Sequence, residues 1–563
     1  MVNEKVKFFS LGGLDEIGKN LFILEIKNNI YILDAGSKYP SNNIPGVDLI
    51  IPSFKYLEEN KSRVKAYIIS HGHQENIGAL IFMYKRIPAP IYCTKFTSES
   101  IIMLDKAYET NNKFVFELID NCKEKMIGNV KFGFSNLTHS IPGAVSIKAY
   151  TDQGIICYIA DFICDPSAKE PFQTDYKNLE FGHEGNYLAL ILGCENSTRK
   201  GYTIPKHHVS DLMLRHFENS QGKIFVINIK QNLFNLQEIF HLCDKFNKTV
   251  FVYEKKSNTT APQFYQKAFL EYKICSQKTK FGKLSEINRT REQDIVVLFL
   301  EERKDVYETI QEFGESKRFE YRIDITTNDL FIDNTQPIPT KETKATQILD
   351  LLYKTNAQVF QISKKERNIL SCSEEDIKQF LTFLQPKYFI PVSGYYFQLM
   401  TAAKIALNSS TRFNYSNIFL LDNGVPVEFE NKMARPDYKN KIECANLFID
   451  GIDIGNVGNN VVEERSRMSN DGIVLMAITV SKTSKEIVGG PDVQMRGFVF
   501  LKDSENILRE ITNIFVENVR VFLTGFYDDK EVVINNIIEK ATRYVRRETG
   551  KNPLIIPEIV ELD

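Results

Sequence analysis

The chain has 563 residues, with 70 Lys and Arg against 72 Asp and Glu and a formal net charge of −2. At about 150 residues per domain this length points to three or four domains, with enough apolar material for a large core. Apolar residues at 43% and charged residues at 25% exclude collagen-like, mucin-like and wholly disordered chains. The charge balance excludes a strongly basic nucleic-acid binder acting by bulk charge, and leaves room for a local basic groove.

The opening MVNEKVKFFSLGG has no apolar stretch of signal-peptide length, and no run of 18 apolar residues occurs anywhere. The nine cysteines are dispersed, with no Cys-x-x-Cys, the pattern of reduced thiols. The expectation is a cytoplasmic protein with no membrane segment.

In the first 200 residues, Val6–Leu11, Leu21–Ile26, Asn29–Leu33 and Ala66–Ile69 are predicted strands, rich in Ile, Phe and Tyr and bounded by Gly, Asn or Asp. Ile77–Tyr84 has the apolar spacing of a helix. Strands follow at Val130–Phe134, Val145–Ala149, Ile155–Ile159 and Leu188–Leu192. A second α/β pattern has strands at Ile224–Ile229, Thr249–Tyr253 and Ile295–Leu300, with helices at Leu236–Phe246, on to about Tyr272, and at Ala345–Tyr353. The first style returns with strands at Gln358–Ile362, Tyr388–Pro391 and Ile418–Leu421 and a helix at Glu374–Leu384, whose acidic first turn suits the helix dipole. The polar stretch Glu430–Asn440 reads as a linker. A small α/β domain closes the chain, with strands at Ile473–Thr479 and Phe498–Phe500 and helices at Ile507–Asn518 and Val532–Thr549.

Eight histidines are present. His71-Gly72-His73 directly follows a strand, and two imidazoles flanking one glycine can converge on a single metal. The plain alternative is two histidines in a surface loop. Asp34 ends another strand, where a carboxylate can hold a ligand imidazole in one tautomer; otherwise it is a turn Asp. His139 and Asp161 each follow further strands. One polar ligand type at the end of each of several strands is the layout of a metal site on a sheet rim. The adjacent His207-His208 reads as a surface or interdomain pair, because neighbouring histidines rarely point the same way. His183, His216 and His241 read as ordinary helix or loop residues.

His71-Gly72-His73-Gln74-Glu75-Asn76 resembles the HxHxDH signature of metallo-β-lactamase-fold hydrolases. Leu11–Asn20, Asp34-Ala35-Gly36, Thr138–Pro142, Gly489–Asp492, Arg496–Val499 and Lys551–Glu561 resemble segments of bacterial ribonuclease J. The similarity covers nearly the whole chain. It implies an α/β protein: a metallo-β-lactamase αββα sandwich (1–204 and 356–427), an inserted β-CASP α/β domain (205–355), a linker (428–444) and a small C-terminal α/β oligomerisation domain (445–563). It also implies zinc-dependent degradation or maturation of RNA from the 5′ end, with some endonuclease activity. By resemblance, His71, His73 and His139 are ligands of a first zinc, and Asp161 bridges to a second.

The pattern departs from the family at the second metal. Glu75 stands at the aspartate position and Asn76 at the final histidine. Asn is a poor zinc ligand beside imidazole, and the extra methylene of Glu75 shifts its oxygens by more than the roughly 0.2 Å that metal sites tolerate. Ser393 occupies a further histidine position, no histidine follows His241, and Glu195 is a substitute for an expected acidic residue. At the glycine-rich phosphate loop stands Phe299–Lys304, where Glu301 and Glu302 should repel an anion. Gln231 and Asn232 keep part of an RNA-contacting loop. Pro337-Ile338-Pro339 keeps the shape of another, and Lys364, Lys365, Arg367 and Asn368 lie where the family contacts RNA.

The resulting expectation is at most one well-formed zinc site, with Asp161 and Glu75 as attenuated catalytic residues. Nuclease activity is expected to be weak or absent, as in a second, weaker form that some bacteria carry. The partners are RNA and a catalytically active ribonuclease J paralogue, or a second copy of the chain through the C-terminal domain. Two alternatives stay open: an active zinc-dependent 5′-3′ exoribonuclease using Glu75 and a substitute ligand, and a scaffold retaining only its oligomerisation surface.

Overall fold

A computed structural model describes residues 5–40, 46–120, 123–179, 187–253, 262–303, 305–315, 323–335, 337, 341–362, 371–410, 412–451, 453–454, 459–497, 504–525 and 529–563. Two compact units form: Met1–Ser41 with Leu49–Leu447, and Asn42–Asp48 with Phe448–Asp563.

In the first unit, one mixed sheet runs in the order Met433–Pro436, Val427–Glu430, Val6–Gly12, Leu21–Ile26, Asn29–Leu33, Val64–Ile68, Ile91–Cys93 and Phe116–Leu118. A second runs Tyr388–Val392, Tyr187–Gly193, Gly154–Ile159, Val145–Thr151, Val130–Asn136 and Glu124–Ile127. Their facing side chains share one core: Phe8, Phe22, Leu24 and Tyr31 from the first, Phe132, Phe134, Ile147 and Tyr158 from the second. The helices Glu374–Leu384 and Tyr396–Ser409 add Ile377, Phe380, Leu399 and Ala402 to the same core. On the first sheet's other side, Tyr56 of the helix Lys55–Glu59 meets Phe9 edge-on at 5.3 Å. These layers make an αββα sandwich.

The intervening chain forms a six-stranded parallel sheet: Lys280–Phe281, Thr249–Tyr253, Ile295–Glu301, Ile224–Ile229, Leu330–Asp333 and Gln358–Gln361. Alternate residues feed two cores. Ile224 and Val226 pack with Phe217, Leu236 and Ile239 on one face, while Phe225 and Ile227 pack with Ile310, Phe313 and Leu352 on the other. Burial on both faces explains why these strands read as unbroken apolar runs.

Four predicted elements differ. Gln358–Ile362, read with the first style, is instead the edge strand Gln358–Gln361 of the parallel sheet, beside Leu330–Asp333. Ile77–Tyr84 is not one helix but two short ones, Gln74–Ile77 and Leu80–Met83. The amides of Ala79 and Leu80 both donate to the Ala35 carbonyl, at 2.8 and 3.1 Å, in place of the helical ladder. Ile418–Leu421 is an extended segment with a single bridge, Ile418 to Phe389. The polar stretch read as linker contains the hairpin Val427–Glu430/Met433–Pro436, which extends the first sheet beside Val6–Gly12. Its two turn residues, Asn431 and Lys432, have φ of 52° and 57°, the left-handed pair of a tight hairpin turn. Pro436 is tolerated because its strand lies at the sheet edge.

In the second unit, Ile473–Ser481 pairs with Ile487–Arg496 and, in parallel, with Leu554–Leu562. The helices Ser504–Leu523 and Lys530–Thr549 cover one face, with Ile511, Phe515, Ile537 and Val545 packed on Val474, Met476 and Ile559. Sequence reasoning missed the strand Ile487–Arg496 because Gly489-Gly490-Pro491 reads as a turn. The predicted strand Phe498–Phe500 lies outside the described residues. Among the described residues, no helix is long and apolar enough to cross a membrane, and eight cysteines are free.

Candidate metal centre

The sequence-predicted residues meet at one rim of the sandwich because each follows the end of a strand: Asp34, His71 and His73, His139, Asp161, Glu195 and Ser393. Glycine lets the loops close. A Cβ on Gly36 would run into the Glu75 carbonyl, so the strand end beside Asp34 can approach the turn carrying His73, Glu75 and Asn76 only as glycine.

The three imidazoles converge. His71 Nε2 lies 3.2 Å and His139 Nε2 3.1 Å from His73 Nδ1, and the ligand atoms of all three lie within 4.8 Å of one another. Tetrahedral zinc with Zn–N bonds of about 2.0–2.1 Å separates its nitrogens by about 3.3 Å, so the cluster fits one such ion with a few tenths of an ångström of adjustment. The outward nitrogens of two of the three are engaged: His71 Nδ1 with Ser70 Oγ at 3.0 Å, and His73 Nε2 with Ser140 Oγ at 3.1 Å and the Gln231 carbonyl at 3.2 Å. Burial, followed by the proximity of His139 and His73, drives the His71 pKa well down. Burial lowers that of His73 too. Both are therefore neutral at pH 7, the form a metal needs.

Asp34 reaches this cluster indirectly. Its carboxylate accepts from the Ser70 amide at 2.7 Å, Ser70 Oγ at 2.8 Å, Asn76 Nδ2 at 2.7 Å and Tyr158 OH at 2.6 Å. The expected direct bond to an imidazole is thus replaced by a relay through Ser70 to His71. Asp34 is fully buried, and burial outweighs those four donors to push its pKa up to about 6.

Asp161 Oδ2 lies 3.9 Å from His71 Nε2. Its Oδ1 accepts from Ser371 Oγ at 3.0 Å, and the same hydroxyl lies 3.5 Å from Glu195 Oε2. Burial, then Glu195, then Glu75 raise the Asp161 pKa to about 8, and burial with Glu75 raises that of Glu195. Three carboxylates therefore crowd the flank of the imidazole cluster. Ser371 joins two of them. Ser393 turns away: its Oγ donates to Asn20 Oδ1 at 3.0 Å.

The segment expected to repel anions is arranged differently. Glu301 is buried and accepts from Thr309 Oγ1 at 3.4 Å, and Glu302 accepts from Gln231 Nε2. Arg303 lies close enough to oppose protonation of His73 and to favour the Glu195 carboxylate, so the segment also brings a cation to the centre. Lys304 lies outside the described residues. Asn232 is buried and caps the helix Leu233–Lys245, its Oδ1 accepting from the Asn235 amide at 3.1 Å, which occupies the side chain expected to contact RNA. Lys364, Lys365, Arg367 and Asn368 lie outside the described residues, as do His183 and Ile338-Pro339.

His207 and His208 do point the same way, contrary to expectation. With Asp165 they form a second group whose ligand atoms lie within 4.8 Å of one another. His207 is buried, at 1% exposure, so it is not a surface residue.

Residues 460–562 match the family described as the ribonuclease J C-terminal domain. The chain is 30% identical over 560 residues to Ribonuclease J 2 of Streptococcus pyogenes serotype M3, covering 99% of both chains. It is 28% identical over 564 residues to Ribonuclease J2 of Bacillus subtilis, again with 99% of each covered. It is 26% identical over 565 residues to Ribonuclease J 2 of Staphylococcus aureus, covering 100% of this chain and 99% of that one. With histidines and carboxylates at strand ends on an αββα rim, a parallel α/β insertion and this full-length similarity, the chain belongs to the ribonuclease J family.

Proposed function

We propose that this protein is an RNA-processing ribonuclease J whose metal centre is reduced to one zinc position. Its nuclease activity is weak or absent, and it works beside a catalytically complete paralogue. The observation that carries this reading is Asn76. At the motif position where the family has an imidazole stands a carboxamide whose Nδ2 is held 2.7 Å from Asp34 and 3.3 Å from Ser70 Oγ, which leaves only its neutral Oδ1, a poor zinc donor beside imidazole.

His71, His73 and His139 would hold the zinc, with Asp161 beside them. Zinc there supplies Lewis-acid polarisation of a phosphate oxygen. Ser70, Ser140 and the Gln231 carbonyl orient His71 and His73, and Arg303 brings positive charge close to the centre. Losing one of two charge-stabilising positions weakens hydrolysis by about 10²–10³, as deletion of a single oxyanion donor does. In this reading 1–204 and 362–436 build the metallo-β-lactamase domain, 205–361 the β-CASP insertion, 437–444 the connection and 445–563 the oligomerisation domain. The last assignment is supported by an exposed apolar patch on the sheet face opposite the helices, formed by Leu475 (41% exposed), Ile556 (42%) and Val560 (43%).

A second reading, an active exoribonuclease, is favoured by the crowding of Asp161, Glu195 and Glu75, since a second cation would relieve their repulsion. Decay of 5′-monophosphorylated RNA separates the two. The first reading expects slow turnover by the isolated chain. Combined Glu75→Asp, Asn76→His and Ser393→His should then raise the rate by about 10². Rapid turnover by the wild-type chain, abolished by His71→Ala, would overturn it.

A further inference from the structure

The group Asp165, His207 and His208 lies outside the three-imidazole centre. We propose that it is a second metal site that takes a divalent cation of the zinc class. The ligands are Asp165 Oδ2, His207 Nε2 and His208 Nε2, and solvent fills the fourth position.

Each side chain is aimed at one shared point. The two histidines leave a tight turn, in which the His208 amide donates to the Pro205 carbonyl at 2.9 Å, with ring centroids 4.2 Å apart and planes only 38° from parallel. That near-stacking makes neighbouring residues point the same way. Their Nε2 atoms lie 2.9 and 3.0 Å from one oxygen, Asp165 Oδ2. Their far nitrogens are held from behind: His208 Nδ1 is 2.7 Å from Glu238 Oε1, and His207 Nδ1 is 3.5 Å from the Thr203 carbonyl. An imidazole whose outer nitrogen is held by a carboxylate or carbonyl while the inner one faces a shared point is the arrangement of a metal-ligating histidine.

The carboxylates are fixed in the same manner. Asp165 Oδ1 accepts from the Ser167 amide at 2.8 Å and from Ser167 Oγ at 2.6 Å, which leaves Oδ2 for the centre. Glu238 accepts from the Val209 amide at 2.7 Å and Ser210 Oγ at 3.2 Å. Two imidazoles and one carboxylate form a donor set for zinc rather than for magnesium or calcium, which take oxygens. Asp165 and His207 are each 1% exposed, while the His208 side chain retains 23%, so exchange with solvent runs past His208. A cation here would tie the segment after the strand Gly154–Ile159 to the start of the inserted domain. Glu238, on the helix Leu233–Lys245, backs it, and the Gln231 carbonyl just ahead of that helix touches His73.

The test is zinc content of the full-length protein after dialysis, by mass spectrometry, in a His71→Ala/His139→Ala background that removes the first centre. About one zinc per chain should remain. It should be lost on adding His207→Gln or His208→Gln, since glutamine keeps an N–H for Asp165 but not an imidazole ligand. Cobalt substituted into the same background should show visible absorption that zinc displaces. If the background variant folds as wild type by circular dichroism and binds no zinc, or if its zinc survives both Gln substitutions, the group is only a hydrogen-bonded junction and the proposal fails. Should the background variant not fold, wild-type zinc content must drop by about one per chain in His208→Gln. An unchanged content overturns the proposal.

Discussion

At the scale of single residues, the centre is dominated by charge that burial makes costly. Asp161 carries the clearest consequence. In the folded chain without metal its pKa is raised from 3.8 to about 8, first by burial and then by Glu195. Between those two values the folded state holds a proton that the unfolded state has released, so stability falls as pH rises through that window. Chelator-treated protein should therefore unfold at lower urea at pH 8 than at pH 5, and Asp161→Asn should flatten that difference. A slope unchanged in the variant would remove Asp161 as its source. The site residues were legible in the sequence where a ligand type follows a strand, as with His71, His73, His139 and Asp161. Ser70, Ser140 and Ser371 were not, because hydroxyls that orient a ligand carry no spacing signal. His207 and His208 were misread because the rule that neighbours diverge assumes extended or helical backbone, and here they leave a turn.

At the scale of elements, apolar runs bounded by Gly, Asn or Asp marked the central strands closely: Leu21–Ile26, Asn29–Leu33, Ile224–Ile229 and Thr249–Tyr253 all form as read. Failures occurred where tertiary contacts override local pattern. The Ala35 carbonyl divides a predicted helix, and a polar stretch becomes a sheet-edge hairpin because its turn residues accept positive φ. That hairpin supports a stability prediction. Lys432 is exposed at φ 57°, a conformation that costs a non-glycine residue about 1 kcal/mol, and its backbone amide already donates to Gln153 Oε1 at 2.7 Å. Lys432→Gly should keep that bond and raise unfolding stability by about 1 kcal/mol in denaturant titration. Destabilisation would show that the turn is not formed as described.

At the scale of the whole molecule, each unit carries its own core, and the C-terminal unit leaves an apolar patch exposed on one sheet face. Leu475 and Ile556 are cross-strand partners on that face. Leu475→Glu/Ile556→Glu places two charges there without touching the helix-covered core, and it should shift the mass measured by light scattering toward the monomer. An unchanged assembly would place the interface elsewhere. In the proposed reading the rim keeps one metal position and loses the other. Anomalous scattering at the zinc edge from crystals of zinc-loaded protein tests it most directly. A single peak among His71, His73 and His139, with none between Asp161, Glu195 and Glu75, is the predicted result. Two peaks there, about 3.5–4 Å apart as in two-metal hydrolases, would contradict it.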